Sequence, residues 1–509
     1  MLKFLSFFNI ARNFYIRPFL IGLLIFLTTA PVYFLLAGFV VVGYFLHMNY
    51  YQDDLRLKIK YAFSFGLGFF FANYYWMSFS MLVDFKSYWF YFFPSLVIIP
   101  AYFVIFYILP QVCILDYLHK KYRLSKFRFY LIAISIWFLF EVVRSTTLIL
   151  IDFQGFSWGL LGYNFLANEK LAQIYSITGI YGASLIITFI YGSIFLVINH
   201  NFKICNRGSF VYFVSICLFV IGAIYSYGIL RSDPKESPHD KKVSYLIIHP
   251  SIVQHHGFIY ERAVSNIDKK IKLASQEDGS YDFVIFPEGG ISFPIDISKE
   301  SKVFSYILDR LDNARFLIAG ATRVSDNKYY NSLFIYDKSG NLRDYYDKKY
   351  LVPFGEYTPY LKIFDSPLTN NSSGYSRGVT KSIKIDDDLP EIKPLICYDA
   401  LYSMATLDKS ADVIVNISND IWFIQTVFGI PILSAAYQHL DIVRARAIET
   451  ATPVLRSTNL GFSSVIDSRG RVLKKANPYD PGVLSGDLVI NSGERTLYQK
   501  LIYKLLRVS

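Results

Sequence analysis

The chain has 509 residues, of which 53% are hydrophobic and 18% are charged, and its formal net charge is +11. This composition is too apolar for an ordinary soluble protein and too charged for a chain that is embedded in a membrane throughout. The positive charge does not predict nucleic-acid binding, because much of the basic excess lies between apolar blocks, where membrane topology accounts for it.

Apolar and aromatic residues dominate the chain up to about residue 230, and mixed polar sequence follows. A membrane-spanning helix needs roughly 20 apolar residues. Seven such spans are predicted, at about 15–30, 32–48, 59–80, 88–117, 127–150, 172–198 and 209–229. We therefore predict a multi-span helical membrane domain over 1–230, a separate polar domain over 240–485 and a basic amphipathic tail over 486–509.

The loops between the predicted spans differ in basic residues. Lysine and arginine concentrate in alternate loops, for example at Lys120, Lys121 and Arg123 after the fourth span. Loops of this kind face the cytoplasm. Seven spans then place the polar half on the opposite, extracytoplasmic side.

The fifth predicted span contains two charges, Glu141 and Arg144, which share one face of a helix because they are three residues apart. Charges inside a membrane are costly, and two interpretations stay open: a structural ion pair that joins two helices, or a functional pair. The loop that follows, 153–159, is rich in glycine and aromatic residues. It is predicted to lie at the membrane interface or to line the entrance to a lipid-accessible site.

The polar half alternates short β-type runs with helical stretches, which is typical of an α/β domain. Helices are predicted at 260–275, 300–313 and 432–451, and a late hairpin at 463–474. The predicted strands are Val243–Ile248, Phe283–Phe286, Phe316–Ala319, Leu333–Tyr336, Ile392–Ile396, Val413–Ile417 and Val454–Ser457.

Three reactive side chains stand at or near strand ends in this half: Glu288, Lys348 and Cys397. A thiolate attacks acyl carbon far better than a thiol, and a nearby cation such as Lys348 lowers a thiol pKa. The same ammonium can stabilise an oxyanion, and Glu288 can accept the thiol proton. A lone cysteine at a strand end more often serves packing. Cys397 is the only cysteine in the polar half, which excludes a disulfide framework and a cysteine-based zinc site there.

The sequences around these residues resemble the nitrilase superfamily and, within it, the apolipoprotein N-acyltransferases, bacterial enzymes that complete lipoprotein maturation. The motifs are Phe286-Pro287-Glu288, Lys348 followed by Leu351-Val352-Pro353-Phe354-Gly355-Glu356, Ile396-Cys397-Tyr398-Asp399, and Asn416 to Phe423. The resemblance continues through Gln438-His439, Arg444 to Glu449 and Leu455 to Gly461, and it covers nearly the whole chain.

The resemblance implies a four-layer αββα sandwich with a Glu-Lys-Cys triad. On the matching positions Glu288 is the general base, Lys348 stabilises the oxyanion and Cys397 is the nucleophile. Glu356 matches a further acidic residue, which orders its loop and is compatible with orienting Lys348.

Four further positions stand in or directly after these motifs, and two of them, Asp399 and Ile424, depart from the family pattern. Tyr398 and Trp422 either line the path of the acyl chain or serve packing. Asp399 stands where the family commonly has glutamate, and Trp422-Phe423-Ile424 stands where the family commonly has Trp-Phe-Gly. A last C-terminal span that is common in the family is not found, so the C-terminus is expected to stay extracytoplasmic, with its basic tail on the membrane surface.

The resemblance implies acyl transfer in two steps. Cys397 takes an acyl chain from a phospholipid as a thioester, and the N-terminal amine of diacylglyceryl-cysteine on an apolipoprotein then attacks it. The expected setting is the bacterial inner membrane, with a periplasmic catalytic domain, no metal or other cofactor, and a monomeric chain. Two alternatives stay open: a membrane-anchored nitrilase-like amidase, and a non-enzymatic membrane scaffold, against which the intact triad argues.

Overall fold

The computed structural model describes two compact units. Met1–Thr146, Phe156–Ile174 and Ile180–Leu230 group in the first unit, and Thr147–Gly155, Tyr175–Gly179 and Arg231–Ser509 in the second. The predicted boundaries of 1–230, 240–485 and 486–509 stay a prediction. The described residues are 15–83, 85–146, 155–231, 240–252, 259–299, 301–357, 374–408, 410–427, 430–490 and 495–506.

The N-terminal half is helical, as its apolar blocks predict, because a helix satisfies its own backbone hydrogen bonds within one segment. Its longer helices are Ile16–Leu23, Leu36–Tyr51, Leu55–Tyr74, Phe85–Phe103, Leu109–Tyr122, Lys126–Ser145, Tyr175–Gly192 and Arg207–Arg231.

Three helices within the described ranges are long and apolar enough to cross a membrane: Tyr88–Tyr122, Tyr175–Val197 and Arg207–Arg231. They coincide with the fourth, sixth and seventh predicted spans. The other predicted spans also contain helices, but these are shorter or more charged; Lys126–Ser145, for example, begins with basic residues and carries Glu141 near its end. A bundle of seven spans therefore stays a prediction.

The two charges of the fifth predicted span are buried, and each binds the backbone of the segment that follows. The Arg144 guanidinium donates to the carbonyls of Phe156 at 3.0 Å and Trp158 at 2.7 Å. The Glu141 carboxylate accepts from the Leu161 amide at 3.2 Å. Both side chains thus hold a loop in place, a role that neither sequence-based interpretation contained. Positions 153 and 154 of the predicted loop lie outside the described residues.

The second unit is built on two larger sheets and a short hairpin. Its strands are β1 Lys241–His249, β2 Tyr281–Ile285, β3 Ile291–Asp296, β4 Ala314–Ser325, β5 Lys328–Asp337, β6 Leu342–Asp347, β7 Ile392–Ile396, β8 Val413–Ser418, β9 Gln425–Val427, β10 Ile430–Ile432, β11 Val454–Thr458, β12 Ser464–Ile466, β13 Val472–Lys475 and β14 Gly482–Ile490.

The seven-stranded sheet has the order β14-β1-β2-β4-β5-β6, and β3 pairs with β4 beside this path. The five-stranded sheet has the order β13-β12-β11-β8-β7. Strands β1, β2 and β4 run parallel, and so do β7, β8 and β11. The carboxyl ends of the strands within each parallel set therefore meet at one edge, which is where α/β sheets place their ligands.

The side chains of β1 enter two different apolar cores in alternation, because successive side chains point to opposite faces of a sheet. Val243 and Ile247 pack with Ile396 and Val415 of the smaller sheet. Leu246, on the other face, belongs to the core that the helices Tyr260–Ala274 and Lys302–Leu308 cover. Both faces of β1 are thus buried, which explains its continuous apolar run.

The predicted strands are confirmed, and each lies within or overlaps one of β1, β2, β4, β5, β7, β8 and β11. The late hairpin is β12 and β13. The helix predicted at 432–451 is Ser434–Thr450, whereas that predicted at 300–313 is shorter, at Lys302–Leu308. The prediction missed β3, β6, β9, β10 and β14, since residues that disfavour strands occur in several of them, such as Pro294 in β3 and Gly486 in β14.

Candidate active site

The three predicted catalytic side chains lie in one buried cluster. Cys397 follows β7 directly, Lys348 follows β6 directly, and Glu288 comes three residues after β2. The charges of Glu288 and Lys348 both act on the Cys397 thiol. The structure therefore brings together three groups that lie far apart in the sequence.

Lys348 is held between two carboxylates. Its Nζ donates to Glu288 Oε1 at 3.1 Å and to Glu356 Oε1 at 2.9 Å, and its side chain is only 1% exposed. Burial by itself lowers the pKa of Lys348, but the two carboxylates outweigh burial and hold that pKa well above its usual value. Lys348 is thus an ammonium at neutral pH.

The sequence-based prediction missed Asn331, which lies in β5 and links the same two carboxylates. Its Nδ2 donates to Glu288 Oε1 at 2.8 Å and to Glu356 Oε1 at 2.7 Å. The second oxygen of Glu356 accepts from the Val352 amide at 2.8 Å. Both oxygens of Glu356 are therefore engaged, which suits a support that fixes Lys348 better than a group that exchanges protons.

Cys397 adopts a strained backbone conformation. Its φ is +45°, in the left-handed region, which costs a non-glycine residue roughly 1–2 kcal/mol. Burial raises the pKa of its thiol, the Glu288 charge raises that pKa further, and the Lys348 charge lowers it by less. The resting nucleophile is therefore a neutral thiol that needs a base.

Asp399 ties the turn that contains Cys397 to the segment that contains Lys348. Its Oδ2 accepts from the Ile396 amide and from the Tyr346 hydroxyl, both at 3.0 Å. Its Oδ1 accepts from the Tyr350 amide at 2.9 Å. Burial raises the pKa of Asp399 to about 6, although the charge of Lys348 and these hydrogen bonds oppose the increase.

A second polar network lies against the backbone of Cys397. His439 Nε2 is 3.3 Å from the Cys397 carbonyl oxygen, and its Nδ1 is 2.8 Å from Asp420 Oδ1. Arg456 Nη2 donates to Asp420 Oδ2 at 2.8 Å. Burial raises the pKa of Asp420, but Arg456 and His439 more than reverse this and hold that pKa well below its usual value. His439, Asp420 and Arg456 all belong to the sequence motifs, yet the motifs did not assign them a role.

Part of this network also has the spacing of a metal site. Cys397, Asp420 and His439 each offer one potential ligand atom, and these three atoms lie within 4.8 Å of one another. Arg456 already binds the Asp420 carboxylate, and its positive charge opposes a cation at that place. We therefore interpret the cluster as a hydrogen-bonded support for Cys397.

The two predicted aromatic residues occupy different environments. Tyr398 is buried, and its hydroxyl donates to the Gly155 carbonyl, which is 3.1 Å away and belongs to the same unit. Tyr402 donates to the same carbonyl and stacks on Tyr350, with the two ring centroids 4.1 Å apart. Trp422 is half-buried in the short turn of 3₁₀ helix after β8. A role for Tyr398 or Trp422 along the acyl path stays a prediction.

Comparison with known proteins identifies the class first. Residues 252–497 match the carbon-nitrogen hydrolase family. The second half of the chain thus has the nitrilase-like fold of that class. A crystal structure of a CN-hydrolase superfamily protein from Xanthomonas campestris aligns with a TM-score of 0.37 at 20% identity, covering 53% of this chain and 95% of that one.

The N-terminal half identifies one family within this class, because residues 21–193 match the N-terminal domain of apolipoprotein N-acyltransferase. The apolipoprotein N-acyltransferase of Rickettsia typhi is 30% identical over 482 residues, which are 92% of this chain and 90% of the relative. That of Rhodopseudomonas palustris is 28% identical and covers 83% of this chain and 79% of the relative. The chain belongs to the apolipoprotein N-acyltransferase family.

Proposed function

We propose that this protein transfers an acyl chain from a membrane phospholipid to the N-terminal amine of diacylglyceryl-cysteine on apolipoproteins. The observation that carries the proposal is the Lys348 ammonium, fixed by Glu288 and Glu356 and acting on the buried Cys397 thiol. The family match over both halves of the chain supports lipid and lipoprotein substrates.

In the first step Cys397 Sγ attacks the ester carbonyl of the phospholipid while Glu288 accepts the thiol proton. The negative charge that forms on the carbonyl oxygen is stabilised by Lys348; one such donor contributes roughly 3–4 kcal/mol in enzymes where it has been removed. The ester C–O bond then breaks, and Glu288 returns the proton to the departing lysophospholipid oxygen. Cys397 is left as a thioester.

In the second step the α-amine of the lipoprotein cysteine attacks the thioester carbonyl. Glu288 accepts a proton from the amine, and Lys348 again stabilises the oxyanion. The C–S bond breaks, and the Cys397 thiolate takes the proton back from Glu288. The products are an N-acylated lipoprotein and the resting thiol.

The surrounding residues position these three groups. Glu356 and Asn331 fix Lys348 and Glu288, and Asp399 fixes the turn after Cys397. Neutral His439 donates from Nε2 to the Cys397 carbonyl and so holds the strained backbone of the nucleophile, while its Nδ1 accepts from Arg456, which Asp420 fixes. We also propose that Tyr398 and Trp422 line the path of the acyl chain.

We propose the following setting for the reaction. The N-terminal half forms a multi-span bundle in the bacterial inner membrane, and the catalytic unit is a periplasmic four-layer αββα sandwich that acts as a monomer. Basic residues in alternate loops support the orientation. The four-layer arrangement is supported by the core that the two sheets share and by the helices that cover the outer face of the larger sheet.

Intact mass spectrometry of the purified enzyme tests the proposed chemistry. Incubation with phospholipid should add one acyl chain to Cys397, and a later addition of a diacylated lipopeptide should remove that chain and yield triacylated product. A Cys397→Ala variant should form neither adduct nor product. Active wild-type enzyme without an adduct would exclude the thioester. An adduct that water cleaves while the lipopeptide stays diacylated would favour the amidase alternative, and inactive wild-type enzyme would favour the scaffold.

A further inference from the structure

A helix near the C-terminus, Leu497–Leu506, is fixed to the catalytic unit by one of its faces. Tyr498 and Gln499 are buried, and the Tyr498 hydroxyl is 2.8 Å from Ser403 Oγ. The Gln499 side chain accepts from the Thr496 amide at 3.1 Å, which closes the first turn. We call this helix the tail helix. Its orientation about its own axis is set by these contacts.

The opposite face of the tail helix is apolar and uncovered. Leu497, Leu501 and Leu505 are 50%, 46% and 75% exposed. Their spacing of four residues places them in one stripe, which we call the leucine face. Lys500 and Lys504, also exposed, lie along one side of it. With 100° per residue, the five side chains fill one arc of about 140°.

This arrangement matches a helix that lies in the plane of a membrane surface. Leucines of such a helix enter the boundary of the acyl chains, and lysines extend their amines to the level of the phosphates. The tail helix has 10 residues, about half of what a span requires. This described length suits a helix at the membrane interface.

A contact within the catalytic unit joins the tail helix to the segment Tyr175–Gly179. A Cβ added to Gly179 would lie 2.3 Å from a ring carbon of Tyr498, so this ring packs directly on that backbone. Gly179 is a kink residue with φ +62° and ψ −176°, and the helical residues that precede it are separated there from those that follow. The segment Tyr175–Gly179 groups with the catalytic unit.

We propose that the tail helix is an in-plane membrane anchor of the catalytic unit. The leucine face enters the acyl region of the bilayer, and Lys500 and Lys504 bind anionic phospholipid headgroups. This binding surface is separate from Cys397 and does not depend on the acyl-transfer reaction.

Fluorescence quenching in nanodiscs tests the anchor with the full-length protein. An environment-sensitive fluorescent amino acid is incorporated at position 501, and the acyl chains of phosphatidylethanolamine–phosphatidylglycerol nanodiscs are brominated. Position 473, where Leu473 is 54% exposed on β13, provides a control of similar exposure. Bromine in the acyl region should reduce emission at position 501 by about twofold and change that at position 473 little.

The lysines are tested in the same assay. The double substitution Lys500→Gln and Lys504→Gln should weaken quenching at position 501 in anionic nanodiscs and have little effect in phosphatidylcholine nanodiscs. An unchanged thermal midpoint of each variant in detergent shows that the fold is intact, and position 497 replaces 501 if that variant unfolds.

Equal emission in brominated and ordinary lipid at positions 501 and 497 would overturn the anchor. If the leucine face instead binds a second copy of the chain, quenching would be absent and single-particle mass measurement would show a dimer, which also overturns the proposal. Quenching that the two lysine substitutions leave unchanged in anionic nanodiscs would overturn the headgroup contact.

Discussion

Polar networks approach Cys397 from two sides, and they differ in what they contact. On one side Glu288 and Lys348, the latter also paired with Glu356, act on the charge of the thiol. On the other side His439 donates from Nε2 to the backbone carbonyl of Cys397, and its Nδ1 accepts from Arg456. The first network has the larger effect on the charge of the thiol, to which Asp420 adds a smaller one, whereas His439 acts on the position of the Cys397 backbone. Substitutions on the two sides should separate these contributions.

The largest effect is expected for Glu288→Gln, which removes the proposed base and should lower the rate of acyl transfer by about 10²–10⁴-fold. The same change removes a negative charge that raises the pKa of the Cys397 thiol. That pKa should fall, and iodoacetamide should alkylate Cys397 faster at a given pH. Acylation kinetics and the pH profile of alkylation check both effects.

Slower alkylation in the Glu288→Gln variant would contradict the proposed sign. Cys397→Ala serves as the control for labelling of other cysteines.

Lys348→Met should lower acyl transfer by about 10²–10³-fold, because the oxyanion loses its cationic donor. Here the thiol loses a positive charge that lowers its pKa, so the pKa should rise and alkylation should become slower. Each of the two substitutions thus lowers the rate of acyl transfer, but they shift the rate of Cys397 alkylation in opposite directions. Parallel shifts would show that the two charges do not act on the thiol as the geometry indicates.

His439→Leu should lower the acylation rate by about tenfold through the lost hydrogen bond, which corresponds to roughly 1.4 kcal/mol. The pH midpoint of Cys397 alkylation should stay close to that of wild type, because burial and Arg456 lower the pKa of His439 and keep it neutral. His439→Gln retains an amide donor and should recover most of the rate. A midpoint shift as large as that of Glu288→Gln would assign His439 to the charge-setting network.

The smallest effect concerns stability alone. Because the pKa of Asp399 is raised to about 6 in the folded protein, the folded state binds this proton more tightly than the unfolded state does. Asp399 therefore favours the fold below its ordinary pKa, and this contribution is lost as pH rises through about 6. The thermal midpoint in detergent should fall by about 4 °C across that window relative to Asp399→Asn. An identical pH dependence in the variant would contradict the raised pKa.

The catalytic groups were predictable because each stands where a recognisable strand ends. Cys397 and Glu288 follow buried β-branched or aromatic runs, and their chemistry is distinctive. Asn331 gave no such signal, since an amide within a strand joins Glu288 and Glu356 only through the pairing of β5 with its neighbours. His439 lies on the helix Ser434–Thr450, which is buried almost throughout and so has no amphipathic pattern that could single out one side chain.

The helical half also contains contacts that could not be predicted from the sequence. Hydropathy placed its helices, but it could not show that Arg144 and Glu141 bind loop backbone, because those partners lie 12 to 20 residues further along the chain. Strand β14 was also missed. It is fixed by antiparallel pairing with β1 and not by its own composition.

The kinetic competence of the acylated enzyme tests the role of Cys397 most directly. The enzyme is loaded with an isotopically labelled acyl chain from phospholipid, freed of excess lipid, and mixed rapidly with a diacylated lipopeptide. If the thioester on Cys397 is the intermediate, the label should move to the lipopeptide amine at least as fast as steady-state turnover. Transfer slower than turnover, or unlabelled triacylated product formed from loaded enzyme, would contradict that role.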